Sequence, residues 1–477
     1  MRFYLTTFGC KVNQYETQVI RERWTNLGHD PVATPDLAEV IVVHSCAVTA
    51  KAVADLRKSV MSLNRSAPQA AIGISGCAAQ TFPVHLRGLP GVVAIVGRKE
   101  RHRLLRGPNA LLRSEGDEAS LGFGHDQDEG LFTGISDFRL ARAQIKVQDG
   151  CSHGCTYCIV PLARGPEQSR PPEEILAEFG RLLDAGFREV SLIGINLRLY
   201  GQNLEPRLDF WDLVQFLEQN YAAKWAGRAR LRLSSLDPAM LGEKALRVLS
   251  DSRLVCPHLH LSLQSASPVV LAAMGRDHYT PESILEFCDE MGRRRSLFAL
   301  GVDLLAGFPG ERDFDFRETL NFAARLPLTY AHVFPFSPRP GTVAAHMGGQ
   351  VPEPIRRHRA KLLRTLAETK RRQFWETLAL HREVMMVVER MRPHRVYAQE
   401  DREQPSQDRT VDHLAGATHA TGPYIIQGKC EYYVPCRVNT FSNDVHVRQL
   451  LRIRPIAVNS RGLECTRPEE SPTQGEL

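Results

Sequence analysis

The sequence predicts a mixed α/β protein with three units: an N-terminal parallel α/β domain, an open (β/α)6 barrel and a small C-terminal β-barrel. Three observations predict this class. Strand-like and helix-like stretches alternate through residues 1–106, six strand candidates with helix-compatible connections span residues 141–350, and β-rich segments follow a long basic helix. A chain of 477 residues exceeds one ordinary hydrophobic core, so several domains are expected.

The N-terminal domain is predicted at residues 1–106. Its strand candidates are residues 2–8, 39–45, 71–75 and 92–96, and residues 12–27 form the first helix between them. Such alternation is typical of parallel strands joined by crossover helices. Residues 107–140, which are rich in Gly, Asp and Glu, are predicted to be a linker or mobile connection.

The central unit, residues 141–350, repeats one pattern. Its strand candidates are residues 144–147, 189–194, 230–234, 258–263, 299–306 and 331–336. Six β/α units without a clear seventh and eighth indicate an open barrel. In barrels of this kind the chemistry occurs at the C-terminal ends of the strands.

Beyond the barrel the chain becomes basic and then β-rich. Residues 351–382 form a predicted amphipathic helix with Leu363, Leu366, Phe374 and Leu378 on one face, which we expect to pack on the barrel. Some of its cations are candidates for nucleic-acid contact. Residues 383–456 are predicted to form a β-barrel interrupted by an inserted loop at 394–421, and residues 457–477 a disordered tail.

Composition and patterning limit the possible location and partners of the protein. Hydrophobic residues make up 43% of the chain, no apolar run is long enough to span a membrane, and the N-terminus has no secretory pattern. We therefore expect a cytoplasmic protein without a membrane partner, in which the 11 cysteines are not structural disulfides. The net charge of +6 is compatible with nucleic-acid binding but does not identify it.

The strongest motif is Cys151-Ser-His-Gly-Cys155-Thr-Tyr-Cys158, which directly follows the first strand of the predicted barrel. Three thiolates on a four-iron cluster leave one iron open for a small molecule. A redox pair needs two thiols, and a structural zinc site needs four ligands. Zinc remains the alternative, with His153 or a distant thiol as the fourth ligand, but no second pair follows at the usual spacing.

A second set of thiols is dispersed through the N-terminal domain. Cys10, Cys46 and Cys77 each follow a strand candidate, and the C-terminal ends of parallel strands share one edge of a sheet. Gly9 and Gly76 permit tight turns beside a bulky cluster. The pattern favours a second cluster over the alternative of three buried structural cysteines. The other cysteines show no shared pattern and are assigned no function: Cys256, Cys288, Cys430, Cys436 and Cys465.

The two triads, on this domain order, resemble the methylthiotransferase family of radical S-adenosylmethionine (SAM) enzymes. The matching motifs are Gly9-Cys-Lys-Val-Asn-Gln-Tyr-Glu16, Ser45-Cys-Ala-Val-Thr49, Ser75-Gly-Cys-Ala-Ala-Gln80, 151–164, Leu192-Ile-Gly-Ile-Asn196, 233–238, 258–265, 303–311 and 333–339. The segment after Cys10 is similar to the branch that modifies N6-threonylcarbamoyladenosine in tRNA. The C-terminal barrel resembles the family's RNA-binding TRAM domain.

The resemblance implies insertion of a methylthio group at C2 of N6-threonylcarbamoyladenosine 37, in the anticodon stem-loop of tRNA. It implies two 4Fe-4S clusters, one held by Cys151, Cys155 and Cys158 and one by Cys10, Cys46 and Cys77. One SAM would yield a 5′-deoxyadenosyl radical and a second would donate the methyl group. Flavodoxin or ferredoxin would supply electrons. The alternatives are the branches acting on isopentenyladenosine tRNA or on a ribosomal protein, and a non-catalytic RNA-binding or zinc protein on the same scaffold.

The resemblance also suggests SAM-binding residues. They are Tyr157, Asn196, Ser234, Gln264, Asp303, Gly307 and Glu311, of which residues 307–311 would form the wall beside the adenine of SAM. For Asn196, Ser234 and Gln264 a purely structural role is the alternative. Arg164 and Arg170, which flank the cluster loop, are candidates for contact with substrate phosphate or with the anionic threonylcarbamoyl group, or are surface cations.

Overall fold

The computed structural model describes residues 1–112, 133–380, 383–393, 424–440 and 444–468. The insertion predicted at 394–421, most of the predicted linker and residues 469–477 lie outside these ranges. The predicted α/β class and its three units are confirmed.

The N-terminal domain is a five-stranded parallel sheet in the order β2-β1-β3-β4-β5. Its strands are β1 (Arg2–Thr7), β2 (Asp30–Pro31), β3 (Val40–Ser45), β4 (Ala71–Gly76) and β5 (Val92–Val96). Its helices are α1 (Lys11–Asn26), α2 (Ala50–Ser66), α3 (Cys77–Thr81), α4 (Pro83–Arg87), α5 (Arg101–Leu105) and α6 (Asn109–Leu112). The central strand β3 is buried along its whole length, as its apolar run requires in a sheet covered on both faces.

The central unit is an arc of six parallel strands, β6 and β9–β13, with β7 and β8 forming a separate short antiparallel pair. Its strands are β6 (Ala143–Lys146), β7 (Gln148–Asp149), β8 (Gln168–Ser169), β9 (Glu189–Ile193), β10 (Arg230–Leu233), β11 (His258–Gln264), β12 (Ala299–Ala306) and β13 (Leu328–Pro335). Its helices are α7 (Val160–Arg164), α8 (Pro172–Asp184), α9 (Phe210–Trp225), α10 (Glu243–Asp251), α11 (Pro268–Ala273), α12 (Pro281–Arg294) and α13 (Asp313–Arg325). Sheets β10-β9-β6 and β11-β12-β13 meet through isolated bridges, and no pairing between β6 and β13 occurs in the part of the chain that the structure describes. The barrel is therefore open.

The long basic helix α14 (Glu353–Ala379) packs on the barrel, as predicted. Several of its cations serve this attachment. Arg359 is buried against Glu311 and Asp313, and Arg364 and Lys370 donate to barrel carbonyls. These cations hold the helix in place and are not available for nucleic acid.

The C-terminal unit is a closed barrel in the order β14-β15-β16-β18-β17. Its strands are β14 (Val384–Pro393), β15 (Tyr424–Cys430), β16 (Pro435–Thr440), β17 (Leu450–Asn459) and β18 (Gly462–Thr466). The predicted boundary at 456 is wrong, because β17 continues beyond it and β18 closes the barrel. Of the tail predicted at 457–477, the residues up to Thr466 are therefore ordered barrel strands.

The C-terminal end of the predicted linker, residues 133–140, is packed against the core. Ile135 and Phe138 are buried, and the amide of Ile135 donates to Glu178 on α8. Ser136 donates to Glu22 on α1. Residues 133–140 therefore attach the N-terminal domain to the barrel. No described helix has the length and apolarity needed to cross a membrane.

Candidate active site

The loop that carries Cys151, Cys155 and Cys158 lies at the C-terminal end of the barrel, directly after β6 and β7. Its backbone is fixed at both ends: the amide of Cys151 donates to Gly165, and the amide of Thr156 donates to Met274. Gly154 and Gly275, both with positive φ, let the two backbones approach closely. The loop is thus held rigidly with all three thiols partly exposed.

The second triad assembles from three strand ends. Cys10 follows β1, Cys46 follows β3, and Cys77 begins α3 directly after β4. Gly9 has a φ of 123°, and a Cβ there would lie 2.5 Å from Cβ of Cys46. Gly76 has a φ of 88°, and a Cβ there would lie 2.4 Å from the carbonyl oxygen of Ser45. Only glycine permits these close turns, so the predicted convergence occurs for the predicted reason.

The segments that directly follow one cysteine of each triad pack against each other. Cys77 and Ala78 on α3 pack in one apolar cluster with Ile159 and Ala163, and Ile159 immediately follows Cys158. Among the described residues, neither triad has all three of its sulfur atoms within 4.8 Å of one another. Four ligands of one zinc ion would have to approach to about 4 Å. The wider spacing fits a bulkier cluster.

His153 is not placed as a fourth zinc ligand. Its Nδ1 faces Nη2 of Arg198 at 3.3 Å, and its ring packs edge-on against His278 at 4.4 Å between centroids. Its Nε2 is buried without a hydrogen-bond partner. Among the described residues, however, His153 and the three thiols do not form a group whose ligand atoms all lie within 4.8 Å of one another, which argues against the zinc alternative.

Burial disfavours the thiolate form of four of these cysteines and raises the pKa of Cys46, Cys77, Cys155 and Cys158. Burial raises the pKa of Cys77 to about 11 and that of Cys158 to about 12. Nearby cations oppose this effect: Arg164 at Cys77, and Arg276, whose Nη1 lies 3.8 Å from Sγ of Cys155. These guanidiniums supply positive charge where cluster-bound thiolates would be negative.

Of the predicted SAM residues, Asn196 lies against the cluster loop and Tyr157 is part of it. Nδ2 of Asn196 lies 3.5 Å from Sγ of Cys151, and its Oδ1 accepts the amide of Arg198. The ring of Tyr157 is packed edge-on against Phe308 at 6.4 Å between centroids. The cluster loop therefore meets the 307–311 turn that was predicted to face SAM.

The 307–311 turn is shaped by its own residues. Gly307 has a φ of 76°, and its amide donates to Oε2 of Glu311 at 2.7 Å. Glu311 is buried and also binds Arg359 on α14, so its carboxylate holds the turn closed.

The other predicted SAM residues, Ser234, Gln264 and Asp303, lie on three different strands of the barrel or directly after one. Oγ of Ser234 is buried without a hydrogen-bond partner, so it is available to a ligand. Gln264 ends β11 with a φ of 65°. Asp303 lies apart from the 307–311 turn, and its Oδ1 binds His260 and His332 at 3.1 Å each.

The interpretation of Arg164 and Arg170 as substrate cations is wrong. Arg164 is buried and binds Glu16, Asp149 and Asn13. Arg170 is buried and binds Glu178, with Tyr15 beside it. Both join the N-terminal domain to the barrel, and neither is free for substrate.

Sequence reasoning missed two organising side chains. Gln148 accepts the amides of Ile195 and Asn196 and donates to the carbonyls of Asp149 and Gly150, which fixes two strand ends together. Arg276 binds Asp237 and Ser262 beside Cys155. Neither lies in a pattern that would have identified it.

The structure also brings together three of the cysteines that showed no shared pattern. Cys430, Cys436 and Cys465 are buried in the core of the C-terminal barrel, where Cys436 interacts with the other two. Their contacts come from three different strands, which sequence spacing does not reveal.

Comparison with known proteins agrees with this geometry. Residues 145–323 match the radical SAM superfamily, and residues 2–97 match the uncharacterized protein family UPF0004. A protein of Aquifex aeolicus named threonylcarbamoyladenosine tRNA methylthiotransferase MtaB is 32% identical, covering 79% of this chain and 90% of the relative. The protein of that name from Thermotoga maritima is 34% identical, covering 76% and 81%.

The chain belongs to the radical SAM methylthiotransferase family. It is an enzyme of this type, and the family implies a 4Fe-4S cluster and SAM. Among solved structures, the radical SAM methyltransferase TsrM from Kitasatospora setae matches with a TM-score of 0.54 at 15% identity, covering 72% of this chain and 77% of that one. At that identity the match supports the fold alone.

Proposed function

We propose that this enzyme inserts a methylthio group at C2 of N6-threonylcarbamoyladenosine 37 in tRNA. The observation that carries the proposal is that the chain holds two complete triads of free cysteines, on elements that pack together at the contact between α3 and α7. The relatives named MtaB support the choice of substrate. Isopentenyladenosine tRNA and a ribosomal protein are the alternative substrates.

The donor set fits two clusters. Cys151, Cys155 and Cys158 would hold the cluster that binds SAM, and Cys10, Cys46 and Cys77 would hold the second. When bound, these groups and two SAM molecules supply the 5′-deoxyadenosyl radical, the sulfur and the methyl group, with electrons from a flavodoxin or ferredoxin. Asn196 and Arg276 would stabilise the thiolate charge, and Tyr157 with the 307–311 turn would orient SAM.

The C-terminal barrel would bind the RNA backbone. Exposed arginines lie on β14, on β17 and in the turn before β18: Arg390, Arg392, Arg452, Arg454 and Arg461. Arginines of this kind bind phosphates, and the affinity they provide falls steeply with salt. Specificity would come from an extruded anticodon-loop base that enters the central barrel.

The proposal is tested in a bacterial strain that lacks its own tRNA and ribosomal-protein methylthiotransferases. Wild type should restore the methylthiolated threonylcarbamoyladenosine in digested tRNA, while Cys151→Ala and Cys77→Ala should not. Cys288→Ala, a buried cysteine on α12 away from both triads, is the matched control and should retain the modification.

The purified variants separate the two triads. Reconstituted wild type should hold about eight irons, and replacing either triad by alanine should leave about four. Only loss of the Cys151 triad should abolish SAM cleavage. A methylthio group found instead on isopentenyladenosine or on a ribosomal protein would refute the proposed substrate.

A further inference from the structure

A groove opens where the N-terminal domain meets the central barrel. It has a volume of about 460 Å³. One wall is formed by residues 80–85, which end α3 and begin α4, and the other by Ile159, Leu162 and residues 340–341 of the barrel. Most of the side chains in these walls are apolar, so the groove is not an obvious site for a small polar ligand.

The groove lies beside both cysteine triads. Cys77 begins α3, and Thr81, at the other end of that helix, lines the groove about 6 Å farther along the helix axis. Cys158 directly precedes Ile159, which also lines the groove. The amide of Ala344 donates to the carbonyl of Thr156 and so holds the neighbouring segment on the cluster loop. A molecule in the groove would therefore lie close to one cysteine of each triad.

Exposed aliphatic side chains border the groove. Val84 is 79% exposed, Leu162 is 54% exposed, and Val343, two residues beyond Gly341, is 64% exposed. Leu162 lies against Gly341, where a Cβ would be 3.0 Å from its Cδ1. Exposed apolar side chains grouped around one groove indicate a surface that binds another protein. RNA presents phosphates and bases instead, which cations and aromatic rings bind.

Four cations surround the groove: Arg57, Arg87, Arg98 and Arg339. Arg57 donates to the carbonyl of His85, and Arg98 donates to the carbonyl of Arg164 at the end of α7. Arg339 lies over the ring of Phe82 at 5.2 Å, and Arg87 is exposed at the end of α4. Within the described ranges, none of the four forms an ion pair with a carboxylate. Their positive charge is therefore not neutralised by the protein itself.

The segments that form the walls contain no acidic residue. Residues 76–99, 151–166 and 336–350 include neither Asp nor Glu. Glu100 and Glu167 border these segments, and Glu100 accepts the amide of Gly97. An apolar surface surrounded by cations attracts an acidic protein and orients it during its approach.

We propose that this groove is the docking surface for a flavodoxin that reduces the enzyme. The inference rests on the proposed function and deepens it by locating the electron donor. A flavodoxin is an acidic protein whose flavin exposes its apolar dimethylbenzene edge, so it complements both the apolar groove and the four arginines. In the docked complex the reduced flavin loses one electron and the cluster held by the Cys151 triad gains it, and no atom is transferred.

The test uses the reconstituted full-length enzyme, with either a bacterial flavodoxin or dithionite as the reductant. The double variant Val84→Asp/Arg87→Glu places two negative charges at the groove. It should lower kcat/KM for reduced flavodoxin in SAM cleavage by about 10-fold or more. The dithionite-driven rate and the iron content should stay at the wild-type values, because dithionite needs no docking surface. Calorimetric titration with oxidised flavodoxin, which involves no turnover, should show a similar rise in Kd.

The matched control is Ile456→Asp/Arg247→Glu, which makes the same charge changes at exposed positions on β17 and α10 and should behave as wild type. Equal flavodoxin affinity in wild type and the groove variant would overturn the inference while leaving the proposed function intact. An effect confined to reduction by a ferredoxin, or to tRNA binding, would overturn it in the same way. A matching loss of dithionite-driven activity or of iron would assign the groove to the active site and also overturn it. Failure of the wild type to modify tRNA with dithionite, although both clusters are bound, would refute the proposed function itself.

Discussion

Two buried networks of charge join the central barrel to its neighbours, and their charges are balanced differently. The network around Arg164 faces the N-terminal domain: the carboxylates of Glu16 and Asp149 meet Lys146 and Arg101, so each charge has a partner. The network around Glu189 faces the C-terminal barrel, and there one buried carboxylate binds the guanidiniums of Arg142, Arg230 and Arg232. The first network is held by paired charges, whereas in the second Arg230 and Arg232 also donate to the backbone carbonyls of residues 429–431.

The largest expected effect tests the balanced contact. Arg164→Met should destabilise the protein by about 3–5 kcal/mol, because Glu16 and Asp149 would remain buried without their main cation. The midpoint of urea unfolding, measured anaerobically on reconstituted protein, provides the comparison.

The matched control is Arg372→Met, which removes an exposed pair with Glu376 and should cost less than about 1 kcal/mol. If both variants unfold at the wild-type urea concentration, the Arg164 network contributes no net stability and the contrast between the two contacts disappears.

A second prediction concerns the positive charge around Tyr433, which follows β15 at the contact between the two barrels. Burial alone would raise the pKa of Tyr433, but Lys429, Lys11 and Arg142 outweigh it and lower the pKa to about 8. Lys429→Gln should move this pKa back toward the ordinary value of about 10. The measurement is the tyrosinate absorbance of cluster-free protein, with the titration of the Tyr433→Phe counterpart subtracted.

The sign of the accompanying stability change follows from the depressed pKa. Tyr433 ionises more readily in the folded protein, so its ionisation contributes stability that is fully present above about pH 10 and is lost as the pH falls through about 8. Tyr433→Phe should therefore cost more stability at pH 9 than at pH 7. A tyrosine titration that begins only near pH 10 would show that the surroundings of Tyr433 lack the expected positive charge.

The smallest expected effect is on the stability of a Lys11 variant. Lys11→Met should change the free energy of unfolding by less than about 1 kcal/mol, in the stabilising direction, since burial disfavours the charged amine. The gain should shrink as the pH approaches about 10, where the unfolded chain also loses this proton. A destabilisation comparable with that of Arg164→Met would place Lys11 among the structural charges.

Local patterns explain which features the sequence could predict. The Cys151 loop lies within eight residues, and the apolar runs of β3 and β12 identify buried strands. Cys10, Cys46 and Cys77 could be joined because parallel topology places strand ends at one edge. The strand β18 was missed because its turn, Asn459-Ser-Arg-Gly462, and its polar flanks are similar to a solvated tail.

The sequence does not reveal which distant charged residues form ion pairs in the folded protein. Arg164 and Arg170 are cations in a motif, and nothing near them indicates that Glu16 and Glu178 neutralise them in the folded protein.

The contact between the two barrels also closes a long loop of the chain. Arg230 and Arg232 lie near the middle of the chain, and the carbonyls of residues 429–431 that they bind lie almost 200 residues farther along. The entropic cost of closing such a loop grows only slowly with its length. Since no residue of the cluster loop takes part in these hydrogen bonds, undocking of the C-terminal barrel would leave the cluster loop in place.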